Sequence, residues 1–454
     1  MILAREGYRT VSSIEGPLLF VQGVVEAGYG ELVTIESTDG FKQGQILQVD
    51  GDIALIQIFE GTTGLDRHDV TVWLDRDIIR VPVGLGMKGK IFNGRGKPLD
   101  GNPFSLVEDY RPVYGSAINP AARQSPNNFI ETGISTVDMM NTLVRGQKLP
   151  VFAGPGLPAN ELAAHLVEYA TIPGRESSFL VIFAAMGITA READYFTSTF
   201  ERSGAINHGV FFLNLASDSA VERILTPRMA LTVAEYYAFE KDYDVLVVLT
   251  DMLYYCESLR EISAAREEVP GRRGFPGYLY SDLSEIYERA GCVRNKKGSI
   301  TQIPVITMPG DDMTHPVVDL SGYITEGQIV LDRDLFIKRG FPPVNVLPSL
   351  SRLMNKGIGP GKTFDYHRQM ADQLYASYAK SIELFRLKSI VGDEGLTETE
   401  HKYLKFGENF EALFVKQGYT RRSIKESLSI AWKCLEELPE EELYRIPEKY
   451  LFSD

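Results

Sequence analysis

The spacing of apolar residues changes character along the chain, and each change marks a different kind of structure. From Thr10 to about Val81, short apolar runs are cut by glycines at Gly23, Gly28, Gly30, Gly40, Gly44, Gly61 and Gly64. Ile46, Val49, Ile53, Leu55 and Ile58 flank Asp50-Gly51, a dipeptide suited to a type I′ hairpin turn. Many short strands with regular turns predict a small β-barrel or sandwich. The glycine-rich passage Gly84–Gly101 that follows reads as a connection between domains. From Lys148 to Met308 compact apolar runs recur at Leu149–Ala153, Phe179–Ala185, Val210–Leu215, Val245–Leu249 and Ile303–Met308. Helical patterns separate them, at Thr189–Arg202, Ser219–Glu240 and Tyr254–Glu268. Buried strands alternating with helices predict βαβ units and a parallel sheet, with ligands at the carboxyl ends of the strands.

Beyond Leu350 the period is helical. Thr397-x-x-Glu400 and Ser423-x-x-Glu426 are capping-box signatures, in which each hydroxyl and carboxylate satisfies the other's backbone N–H. Tyr403, Phe406, Phe410 and Leu413 form a stripe at helical spacing, expected to be core. Glu440–Glu442 is expected to be a solvated face.

One stretch carries candidate chemistry. Phe152–Ala170 runs from the end of an apolar strand through a Gly/Pro turn into a helix pattern with Leu162, Leu166 and Ala170 at four-residue spacing. That is the layout of a phosphate-binding loop, whose backbone N–H groups and helix N-terminus cradle an anion. A working loop needs Gly-Lys-Ser/Thr at its end, the Lys on the β/γ-phosphates and the hydroxyl on Mg²⁺. Here Pro158, Ala159 and Asn160 occupy those places. The stretch is either an ordinary strand–helix connection or a phosphate loop without its catalytic parts. Asp251, closing the run VLVVLTD, is open in the same way: a carboxylate for magnesium or its water, or the cap of the next helix. Gly361-Lys362-Thr363 imitates a phosphate loop, but Lys356 stands where its first glycine belongs.

Composition narrows the field. The chain has 454 residues, enough for two to four domains, and is 44% hydrophobic, enough to build cores. Its net charge of -14 argues against a general nucleic-acid surface but not against a bound nucleotide. Cys256, Cys292 and Cys434 are too few and scattered for a disulfide framework, and the six histidines show no zinc-ligand spacing, so no metal site is expected. The opening MILAREGYRT has no signal-type apolar region, and no apolar run approaches membrane-spanning length. A role at a membrane would be that of a peripheral subunit.

Four strings bear on the phosphate-loop reading. KGKIFNGRGKPLDG resembles the crossover segment of rotary ATPase head subunits. Glu131–Leu162, ETGISTVDMMNTLVRGQKLPVFAGPGLPANEL, is similar to the non-catalytic B subunits of archaeal-type and vacuolar-type rotary ATPases, as are Pro309–Ile329 and Leu347–Met354. The resemblance covers essentially the whole chain. It implies an N-terminal β-barrel (residues 1–76), a central RecA-like α/β nucleotide-binding domain with a degenerate phosphate loop (residues 77–345) and a C-terminal helical domain (residues 346–454). It also implies a subunit that alternates with catalytic A subunits in a hexameric head and is no enzyme by itself. ATP or ADP is then expected at the A–B interface, with Mg²⁺ held mainly by the partner and Gly154, Gly156, Asn160 and Asp251 forming a degenerate nucleotide site. Catalytic relatives carry Gly-Glu-Arg-x-Arg-Glu after the next strand, the first Glu positioning the attacking water. The matching string here is Gly187-Ile188-Thr189-Ala190-Arg191-Glu192, and Ile188 can do no such work. Arg352, in Ser351-Arg352-Leu353-Met354, matches the arginine that the family sends into the neighbour's active site. Central-stalk and peripheral-stalk subunits are further implied partners, on the cytoplasmic face of the cell membrane, with no nucleic acid and no membrane contact except through the complex. The alternative is a catalytically active hexameric ATPase of the same fold, secretion-type or Rho-like, which would need Lys at position 159. A scaffold that binds no nucleotide is a third possibility.

Overall fold

The computed structural model describes residues 6–102, 104 and 106–451; Met1–Arg5, part of the opening segment discussed above, lie outside the described residues. The chain forms two compact units. The first comprises the residues up to Ala117, Ile182–Tyr236 and Asp251–Arg289; the second comprises Ile118–Val181, Tyr237–Thr250 and the residues from Ala290 onward.

In the first unit, seven antiparallel strands lie in the order Gly7–Tyr8, Thr71–Ile78, Glu31–Ser37, Gly40–Asp50, Ile53–Ile58, Leu18–Gln22 and Val11–Glu15. The outermost two are consecutive along the chain, so the sheet curls back through Arg9 and Thr10 as a barrel. Alternation fixes its inside: Glu31, Val33 and Ile35 are buried while Leu32, Thr34 and Glu36 are half-buried. The predicted hairpin is present with its centre one residue later. Asp50 pairs with Ile53, leaving Gly51 and Asp52 as the turn, and Gly51 alone supplies the positive φ of 61°. Within the glycine-rich passage the structure adds a strand, Ile91–Asn93, parallel to Gly209–Leu215. Its three residues are too few to show a period.

In the second unit the strands lie in the order Val344–Ser351, Gly327–Leu331, Val151–Ala153, Ser299–Thr307 and Asp244–Thr250. The last four are mutually parallel and the first is an antiparallel edge. The helix Ala159–Tyr169 packs its Leu162, Ala163 and Leu166 side onto this sheet. The helices His367–Val391, Glu398–Asn409 and Ile424–Leu435 follow, and both predicted capping boxes are formed. The aromatic stripe is core: Phe406, Phe410 and Phe414 are fully buried and stack with centroids 5.8 and 5.1 Å apart. Between Phe410 and Val415 the helix widens to a π-turn, and buried Glu411 there accepts from Tyr378 Oη at 3.0 Å. Of the acidic run, Glu440 and Glu441 are exposed, but Glu442 accepts from Tyr403 Oη at 2.6 Å.

The segment Glu131–Asp138 ties the helices to the sheet domain. Gln417 accepts from the Ser135 N–H at 2.9 Å and donates to the Gly133 carbonyl at 2.6 Å. Beneath it, the fully buried Asp138 accepts from the Thr132 N–H, the Thr132 hydroxyl and the Gly133 N–H at 2.8, 2.7 and 2.9 Å. Desolvation outweighs these hydrogen bonds and pushes its carboxyl up to about 7.

Candidate functional site

The phosphate-loop shape is real. Val151–Ala153 ends in a turn closed by the Leu157 N–H donating to the Gly154 carbonyl at 3.1 Å, with Gly156 at φ 79°, and the helix starts at Ala159. Pro155 and Gly156 are exposed, whereas Ala159 and Asn160 are half-buried. The lining is not that of a phosphate site. A Cβ on Gly154 would lie 1.7 Å from Asp311 Oδ1, so this glycine makes room for a carboxylate. Asp311 is gripped by Arg333 in a two-point pair, Nε to Oδ2 at 3.0 Å and Nη2 to Oδ1 at 2.9 Å. Arg333 Nη2 also donates to the Pro155 carbonyl at 3.0 Å. The pair latches the turn and holds the Asp311 carboxyl below its ordinary range. An anion brought to the turn would meet a carboxylate, with no lysine at 159 and no hydroxyl at 160.

In the first unit, Ile188 closes the strand Phe179–Ile188 and is 2% exposed, packed inside where a water-positioning group would have to face solvent. The residues after it start a helix. Thr189 and Glu192 form a capping box at Ala190–Ser203, legible in the sequence as Thr-x-x-Glu. Asp251 caps Met252–Ala265, accepting the Leu253 N–H at 2.8 Å. Gly154, Gly156 and Asn160 share the turn of the second unit, whereas Asp251 belongs to the first.

Arg352 follows the edge strand Val344–Ser351 and is exposed. Its N–H donates to the Glu326 carbonyl at 3.0 Å, and its Nη1 donates to the Thr325 carbonyl at 3.2 Å. A cleft of about 550 Å³ beside it is lined by Gln328, Pro348, Arg368 and Tyr375 among others. The strand register locates it against the turn. Phe152 lies opposite Val330, which puts the turn at the Leu331 end of Gly327–Leu331, while Ser351 lies opposite Gly327 at the other end. The separation along the strand is about 16 Å, and the bond to Thr325 aims the guanidinium further from the turn.

The lysine of Gly361-Lys362-Thr363 is spent locally, donating to the Lys356 carbonyl, and Thr363 Oγ1 accepts the Gly359 N–H at 2.9 Å. The string is a self-closed loop. Asp311, Arg333, Thr325 and Glu326 had no physical signal in the sequence, because their contacts span tens to hundreds of residues. Among the described residues no group of three His, Cys, Asp or Glu side chains could hold a metal ion, and no helix is long and apolar enough to cross a membrane.

The nucleotide-binding domain of the ATP synthase alpha/beta family matches residues 133–351, and the beta-barrel domain of that family matches residues 11–72. The C-terminal domain of V and A type ATP synthase matches residues 356–453. The V-type ATP synthase beta chain of Thermus thermophilus is 54% identical, covering 99% of this chain and 96% of its own length. An A-type ATP synthase B subunit of Methanospirillum hungatei is 56% identical over 97% of this chain and 96% of its own. The chain belongs to the B-subunit family of V-type and A-type ATP synthases. Among solved structures, the ATP synthase subunit NeqB from Nanoarcheaum equitans aligns with a TM-score of 0.74 at 39% identity, covering 93% of this chain and all of that one. Membership in the B-subunit family sets aside the secretion-type and Rho-like alternative, and it agrees with the barrel, sheet and helical parts seen here.

Proposed function

We propose that this chain is the non-catalytic member of an alternating head and that it completes the ATP site of a neighbouring catalytic A subunit in trans through Arg352. The observation that carries this reading is the placement of Arg352 at the end of the sheet opposite the chain's own turn, with its guanidinium aimed away. It cannot serve a phosphate in cis. A planar, permanently charged fork held at the surface suits charge developing on a phosphoryl group supplied from outside. The turn itself is a poor fit for a magnesium nucleoside triphosphate, because Asp311 fills the space beside Gly154 and the cation at the turn, Arg333, is already paired with Asp311. Mg²⁺ and the main nucleotide contacts are therefore assigned to the neighbouring catalytic chain. Gly154, Gly156, Asn160 and Asp251 are the remnant of a nucleotide site kept for its shape. In the complex the chain is a peripheral subunit at the cytoplasmic face, its barrel toward peripheral-stalk subunits and its C-terminal helices toward the central stalk.

The test is the complex reconstituted with Arg352→Ala. Assembly by size exclusion is expected to be unchanged, while ATP turnover falls by about 10³ or more, the range for a trans arginine. A fully active mutant complex would remove Arg352 from the mechanism. Steady ATP hydrolysis by the purified chain alone would overturn its non-catalytic status.

A further inference from the structure

Arg352 is exposed, yet its backbone is held by a buried polar clamp built around Gln147. Gln147 is fully buried in the turn that leads into Val151–Ala153. Its Nε2 donates to the Glu326 carbonyl at 3.1 Å and to Ser351 Oγ at 3.0 Å. Its Oε1 accepts the Val144 N–H at 2.9 Å. Both Nε2 contacts converge on Arg352: Glu326 O is the atom that accepts the Arg352 N–H, and Ser351 is the residue before it. The Ser351 hydroxyl passes the chain on, donating to the Thr142 carbonyl at 2.8 Å. Glu326 is fixed from its other end as well, by the Lys148 N–H at 2.8 Å and by buried Lys148 Nζ at 2.9 Å.

From this geometry we infer that Gln147 is a positioning residue for Arg352. An amide suits the place because it needs two donors on one side and an acceptor on the other, which neither a carboxylate nor an apolar side chain provides. A flexible arginine acting across an interface between chains loses rate steeply with small displacements, so the value of the clamp lies in the placement of the guanidinium rather than in contact with the substrate. Gln147 stands shortly before Val151–Ala153, the strand that carries the phosphate turn, and its own backbone is fixed by the neighbouring strand Ser299–Thr307, where the Gln302 N–H donates to the Gln147 carbonyl at 2.9 Å.

This inference rests on the trans role of Arg352, and the experiment separates the two. Complexes carrying Gln147→Met, Arg352→Ala or both are assembled with the catalytic partner, and kcat and KM for ATP are measured. Gln147→Met keeps the length and removes the hydrogen bonds. The expected result is a fall in kcat of about tenfold, the scale of one or two hydrogen bonds' worth of positioning, with KM unchanged. In the Arg352→Ala background, single-turnover measurements are expected to show no further fall, because the group being positioned is gone. An unchanged kcat in Gln147→Met, or an equal fall in both backgrounds, overturns the positioning role and leaves the reading of Arg352 intact. A fully active Arg352→Ala complex overturns the reading of Arg352 itself. Ser351→Ala removes one arm of the clamp with little change in packing, and it carries the same comparison if Gln147→Met fails to assemble.

Discussion

The two ends of the second unit's sheet each carry a group suited to a phosphate and differ in what that group is bonded to. At one end a glycine turn follows the path of a phosphate loop, and Asp311 and Arg333 beside it satisfy each other. At the other end Arg352 has its backbone hydrogen-bonded within the chain and its side chain at the surface, bonded there to a backbone carbonyl rather than to a carboxylate. Charge that is internally neutralised builds a shape, whereas charge left facing outward can act on something else. The strings themselves show neither the Asp311–Arg333 pair nor the direction of the Arg352 guanidinium.

The sharpest way to break this comparison is to keep the charge at the arginine end and remove its fork. Arg352→Lys in the assembled complex is expected to lose about 10²-fold or more in turnover, since a point charge cannot replace a bidentate planar donor. Near-normal turnover would mean that Arg352 supplies only a local potential. A second test addresses the frame behind that end. Asp138 lies in the helix Ser135–Met140, which packs on Val344–Ser351. Unfolded, it ionises at the ordinary 3.8; folded, it holds its proton up to about 7. Between those values the folded chain binds more protons than the unfolded one, so stability falls as pH rises, by on the order of 4 kcal/mol across the window. Urea unfolding as a function of pH is expected to show that slope, and Asp138→Asn is expected to flatten it. A slope unchanged in the mutant would assign the titration to another group. The smallest effect is expected at the turn. Arg333→Ala opens an exposed ion pair and is expected to leave the melting midpoint within about 2 °C and turnover of the complex within about twofold. A large loss of turnover would show that the turn contributes to the neighbour's chemistry after all.

Much of the scaffold was legible in the sequence. The five apolar runs between Leu149 and Met308 are strands, and the capping boxes at Thr397 and Ser423 open helices, because both signals are local and depend on period or on a four-residue hydrogen-bond cycle. What escaped was short or non-local. Ile91–Asn93 is a strand only because Gly209–Leu215 is beside it, and the edge strand Val344–Ser351 is interrupted by Pro348. The hairpin at Asp50 slipped by one residue because Asp-Gly and Gly-Asp turns both fit the flanking pattern, and pairing chose between them. Asp251 could not be decided from sequence, since a helix cap and a magnesium ligand both ask for a carboxylate after a strand. The latch on the turn joins residues 22 apart and the clamp on the arginine joins residues 204 apart, and no local window contains either.

The opposed placement of turn and arginine gives each chain a front and a back. Two copies meeting by a twofold axis would bury like against like, leaving each arginine facing another arginine end. Head-to-tail contact would instead present the arginine to a different face of a neighbouring subunit, and such contacts, where the rotation closes, make rings with a sense of direction. On the reading proposed here, a vectorial machine therefore begins with an antiparallel edge strand: by reversing the chain at one border of an otherwise parallel sheet, it makes clockwise and anticlockwise neighbours chemically unequal.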